Sequence, residues 1–181
     1  MAAIDIGPGA SNLGGTSPAT YTCIDLTNPA NDTGTLTSFE TFMATNGTGV
    51  KLGTFYGSST TWTNRDYETI GNVTSGSKQT FTGKSCEVQT GDYIGRYAAT
   101  GNQSAKSTGA GMKYIAGDKF GAGQVGGYTS EAAFEQALYA TGETDGGWSH
   151  ITKVDGVTAS GAAKKDGIAV GSVAKINGVA V

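Results

Sequence analysis

Residues 19–56 read ATYTCIDLTNPANDTGTLTSFETFMATNGTGVKLGTFY, and their pattern decides the fold class. The opening ATYTCIDL alternates, with Tyr21, Cys23 and Asp25 on one side and Thr22, Ile24 and Leu26 on the other. A period of two is the period of a β-strand. NPANDTG is a cluster of residues that favour tight turns. TLTSFETFMAT reads as a second strand and NGTG as a loop. VKLGTFY reads as a third strand, with Val50, Leu52, Thr54 and Tyr56 sharing one face.

The same pattern continues outward. GSSTTWTNRDYETIGNVTSGSKQ (57–79) reads as a long polar loop anchored by Trp62, Tyr67 and Ile70. TFTGKSCEVQ and DYIGRYAAT read as strands joined at TGD. GNQSAKSTGAG reads as a loop, MKYIAG as a short strand, and DKFGAGQVGGYTS as a glycine-rich loop. SEAAFEQALYATG fits either a helical stripe of Ala133, Phe134, Ala137 and Leu138 or a strand; its neighbours select the strand. About eight strands with no helices between them exclude parallel βαβ units. They predict an all-β, antiparallel, jelly-roll-like sandwich over residues 1–145.

Composition agrees. The 181 residues hold 30 Gly, 26 Thr and 14 Ser, but only 15% charged residues, with a formal net charge of −3. Thr-rich, turn-rich chains suit short strands. The weak negative charge gives no footprint for nucleic acid or an anionic membrane, so neither is expected as a partner. No stretch has the length of a membrane span. MAAIDIGPGASNLGG lacks a basic and an apolar region, so a secretory leader is not expected and synthesis in a cytoplasm is. Four Asn-x-Ser/Thr sequons, at Asn31, Asn46, Asn72 and Asn102, are what a Thr-rich chain produces by chance.

Residues 146–181 change character. ITKVDGVTASG, AAKKDGIAVGS and VAKINGVAV repeat with a period of eleven. Lys153, Lys164 and Lys175 share a column, as do Gly156, Gly167 and Gly178. Asp-Gly and Asn-Gly are the strongest two-residue hairpin signals, because both central positions of a type I′ turn need positive φ. Each repeat is therefore expected to be two short strands and two corners. So few large side chains cannot bury a core alone. The repeats are expected to be an assembly element, with Trp148, Ile151, Val154, Val157, Ile168, Val173, Ile176 and Val179 as its interface.

The whole chain resembles a set of inferred bacteriophage virion structural proteins common in environmental sequence. YTCIDLTNPANDTGTLTSFE, VKLGTFY, IGNVTSGSKQTF, VQTGDYIGRY and the tail GWSHITKVDGV…VAKINGVAV carry the likeness, in order, over most of residues 4–181. The resemblance implies a jelly-roll or concanavalin-like sandwich and a virion component. It brings no catalytic residues.

Chemistry in the sequence is sparse. His150, the one histidine, has no Cys, His or Asp neighbours at metal-ligand spacing, and reads as a packing or surface residue. Asp32 and Asp92 are loop aspartates of the kind that form Asx turns more often than calcium sites. Trp62, Tyr67 and Tyr56 could line a sugar groove, though aromatics in a sandwich are more often core. Cys23 and Cys86 each sit in a strand, and the sequence leaves open whether they form a disulfide. No cofactor, metal or enzymatic activity is expected. The leading expectation is a self-assembling virion subunit: capsid decoration, tail, fibre or filament. Its partners are copies of itself and other virion or filament subunits. The alternative is a lectin-like sandwich that binds surface glycans. An extracellular filament is the alternative location.

Overall fold

The structure is a computed structural model that describes residues 2–144 and four two-residue strands beyond them. The chain runs β1 (Ala3–Gly9), β2 (Gly15–Ser17), β3 (Tyr21–Asp25), β4 (Gly34–Phe42), β5 (Gly47–Ser58), β6 (Thr61–Val73) and β7 (Lys78–Val88). It continues β8 (Tyr93–Tyr97), β9 (Gln103–Lys106), β10 (Met112–Ala116), β11 (Gln124–Val125), β12 (Thr129–Glu131), β13 (Glu135–Gln136) and β14 (Leu138–Thr144). In the tail lie β15 (Lys153–Val154), β16 (Val157–Thr158), β17 (Lys175–Ile176) and β18 (Val179–Ala180).

The fold is an all-β antiparallel sandwich. One layer is the seven-stranded sheet β11-β6-β5-β8-β3-β10-β12, curled into a half-barrel. The other holds the four-stranded sheet β1-β14-β4-β7, linked to a three-stranded sheet β13-β9-β2 by a bridge between Met43 and Gln103. Inward residues of both layers meet in one apolar core. Ile4, Leu36, Phe39 and Leu138 come from the smaller sheet, and Val50, Leu52 and Ile94 from the larger. Fully burying one such side chain stabilises by roughly 1.5–3 kcal/mol, so this layer holds the domain together.

The seven-stranded sheet has a second apolar face. Phe55, Ile24 and Trp62 pack there beneath Phe120 and Tyr128, which belong to the glycine-rich segment between β10 and β12. Phe120 meets Phe55 edge-on at 5.1 Å. Gly95 makes room for Phe55, because a Cβ at Gly95 would lie 2.5 Å from that ring.

The largest departure from the sequence reading is at 57–79. Residues 61–73 form β6, a 13-residue strand paired along the length of β5. Ser58 faces Thr61 across a two-residue turn in which Ser59 takes a left-handed φ of 54°. The polar side chains that suggested a loop are bonded: Asn64 Nδ2 donates to the Thr54 carbonyl, and Asp66 and Glu68 accept from β7. NGTG likewise opens β5, GNQSAKSTGAG contains β9, and the N-terminal glycine-rich run contains β1 and β2. The ambiguous segment 130–142 is extended, as expected, but is broken at Ala133 (φ 52°) into β12, β13 and β14. Val50, Leu52 and Thr54 are buried, whereas Tyr56 is exposed. Opposite Thr54 and Phe55, β6 carries a bulge with Arg65 as the extra residue.

Candidate functional site

The three aromatics of a sugar groove do not form one exposed platform. Trp62 is buried, edge-on to Tyr93 at 5.6 Å, and donates its indole N–H to the Ser59 carbonyl. Tyr67 is half-buried against Phe120, with the Lys51 ammonium 5.1 Å from its ring. Tyr56 is the open one, 44% exposed, with the Arg65 guanidinium over its ring at 4.5 Å. Arg65 also grips Asp92 with two bonds, Nε to Oδ2 at 2.5 Å and Nη2 to Oδ1 at 3.0 Å. The Asp92 side chain raises the Arg65 pKa above its ordinary value. The buried Asp92 carboxylate is thus occupied by a cation of the chain itself and by the Gln89 N–H. Asp32 accepts from the Thr33 N–H. Among the described residues, no three His, Cys, Asp or Glu side chains gather at a metal-sized site.

Beneath the three-stranded sheet the core turns polar. Arg96 on β8 is fully buried, and among the described residues it is paired with neutral groups instead of a carboxylate. Its Nε donates to Gln136 Oε1 (2.8 Å), and its Nη2 to Ser17 Oγ (2.7 Å) and the Pro18 carbonyl (2.9 Å). Gln136 links it to a second buried charge, because the Gln136 N–H donates to Asp25 Oδ2 at 2.6 Å. Burial pushes the Asp25 carboxyl up to about 6, against the lowering effect of the Gln136 and Thr27 N–H bonds. Sequence reading missed this network. Its one signal was Arg96 alternating with Ile94 and Ala98 on what reads as an apolar face.

Cys23 and Cys86 are both buried and both free. Cys23 Sγ lies 4.0 Å from Ser17 Oγ, and Cys86 Sγ lies 4.0 Å from Thr54 Oγ1. No disulfide joins them.

Sheet edges decide what an all-β molecule can join, since their unpaired N–H and C=O groups template another strand. The β1 edge is sealed. Asp5 N–H donates to Asn31 Oδ1 (3.0 Å) and Gly7 N–H to the Asn28 carbonyl (2.9 Å). The Asn28 and Asn31 amides donate back to the Gly7 and Ala3 carbonyls. The opposite edge, β7, is sealed over its second half. Ser85 N–H donates to Glu68 (3.0 Å), Glu87 N–H to Asp66 (2.8 Å), and Thr54 Oγ1 to the Glu87 carbonyl (2.7 Å). Over Lys78–Gly83, among the described residues, only β4 bonds the backbone.

The last described strand of the sandwich ends at Thr144, whose N–H donates to the Ala2 carbonyl. In the tail, β15 pairs with β16 and β17 with β18, both antiparallel. Val154 faces Val157, and Ile176 faces Val179. The paired strands thus flank Asp155-Gly156 in the first repeat and Asn177-Gly178 in the third. Trp148, His150, Ile151, Ile168, Val173 and the domain boundary lie outside the described residues; of the residues expected to form the interface, Val154, Val157, Ile176 and Val179 lie on described strands. No family model, curated protein or solved structure matches this chain.

Proposed function

We propose that this protein is a non-enzymatic structural subunit, of the virion or filament kind its sequence resembles, that joins its assembly through the C-terminal repeat. The observation that carries this reading is the pair of hairpins. Strands close at 154/157 and again at 176/179, two repeat lengths apart, beyond a sandwich that already has its own core. A repeated hairpin unit too small to bury a core is useful when another surface covers it. The glycan reading is weaker, because two of its three aromatics serve internal packing. The test compares the full chain with a version ending at residue 145, by light scattering and negative-stain microscopy, beside a glycan array. Higher-order assembly by the full chain and a folded, monomeric truncation are expected. Equal assembly by both would sink the proposal.

A further inference from the structure

We infer that the open edge of β7, Lys78–Gly83, is the receiving surface for a repeat hairpin from a second copy of this chain. The inference rests on the assembly role proposed for the tail and names the surface that tail meets.

Four observations carry it. First, the two edges of the four-stranded sheet are treated differently. Asn28 and Asn31 close β1, and Asp66 and Glu68 close the second half of β7, so that sheet is left able to add a strand at Lys78–Gly83. Second, the side chains suit an added strand. Thr80 and Thr82 are exposed, while Phe81 between them is half-buried against the main core. A strand laid alongside would extend this alternation with its apolar residues over Phe81, and the repeat supplies β-branched apolar residues between polar ones. Third, the lysines that commonly ward strands off an edge are held at home. Lys78 Nζ lies 2.9 and 3.0 Å from the two Glu40 oxygens, and Lys84 Nζ lies 3.5 Å from Glu68. Fourth, each chain carries three sequence repeats against one open stretch of edge in the described four-stranded sheet. A tail that meets the edge of another copy makes a head-to-tail contact, which closes into rings or propagates as filaments.

Hydrogen exchange on the intact full chain, below and above its assembly concentration, reads the edge directly. Outward amides within 78–83 are expected to slow by about tenfold or more on assembly. Two full-chain variants separate the partners. Thr80→Lys with Thr82→Lys charges the edge at exposed positions. Val157→Pro, Ile168→Pro and Val179→Pro together place a proline in each of the three repeats, in β16 and β18 for the first and third. Both are expected to remain folded by circular dichroism and to lose assembly, and the proline variant to leave the 78–83 amides fast. Assembly with unprotected 78–83 amides, or assembly that survives the lysine pair, overturns the inference and leaves the assembly role of the tail standing. Loss with the lysine pair but not with the prolines means that another strand fills the edge, which also overturns it. Protected amides in a monomer mean that the chain's own tail docks there, and the inference fails. A full chain that never assembles removes the parent reading and this one together.

Discussion

Asp25 shows how one buried group couples this fold to pH. Its carboxyl is raised from 3.8 to about 6 by burial, so the folded state holds the proton more tightly than the unfolded chain. The stabilisation this gives is complete below the unfolded value and is lost as pH rises through about 6. A shift of this size corresponds to about 3 kcal/mol. Denaturant unfolding at pH 4 and pH 7 checks it: from the lower to the higher pH, the stability of Asp25→Asn relative to the parent should improve by about 2–3 kcal/mol. An unchanged difference would show that Asp25 does not titrate in this window. The thiols behave differently. Burial pushes the Cys86 thiol up to about 12, and Cys23 is equally enclosed. A thiol reagent should label neither in the native protein and both in denaturant. Prompt labelling of the folded chain would contradict the packing. Asp92→Ala should cost about 2 kcal/mol, because it leaves the partly buried Arg65 guanidinium unpaired. An unfolding midpoint unchanged by that substitution would show the pair to be idle.

At the scale of elements, β6 shows why polar composition misled. Its side chains are bonded into a strand–strand interface in which carboxylates replace a missing neighbour for β7. Asp66→Ala removes the acceptor for the Glu87 N–H and should cost about 1–3 kcal/mol, with faster exchange at the amide of Glu87. Stability and exchange both unchanged would show that water serves equally well. Gly95 is a second test. Alanine there collides with the Phe55 ring and should loosen the cover over the outer face, costing about 1–3 kcal/mol. Tyr67 and Trp62 fluorescence would report the loosening.

At the scale of the whole molecule, the sandwich is expected to be stable without the tail. The sandwich buries a two-sided core, whereas the tail strands are two residues long. Truncation after residue 145 should leave the unfolding transition of the sandwich within about 1 kcal/mol of the full chain measured as a monomer. A sandwich that fails to fold without the tail would show the two to be one unit. Far-UV circular dichroism of the truncated form should carry an all-β signature.

Period and turn chemistry are local, so the sequence by itself determined the class, the antiparallel pairing and the hairpins at Val154/Val157 and Ile176/Val179, each from alternation, glycine or an Asp-Gly or Asn-Gly pair within a few residues. The extended state of 130–142 followed only from the strands around it, because its own pattern fits a helix as well. Tertiary structure decided what depends on partners far along the chain. Arg96 is buried because Ser17 and Gln136 reach it from 79 and 40 residues away. Residues 61–73 are a strand because β5 pairs with them and Asp66 and Glu68 find β7. Tyr56 stands outside the core with the guanidinium of Arg65, a residue of the neighbouring strand, over its ring. The β7 edge is open in one half and closed in the other because Glu68 and Asp66 accept the backbone N–H groups of Ser85 and Glu87, whereas Glu40, the carboxylate beside Lys78 and Thr80, bonds their side chains. No local pattern encodes such long-range bonds, since a polar residue in a loop and a polar residue capping a distant strand are written with the same letters.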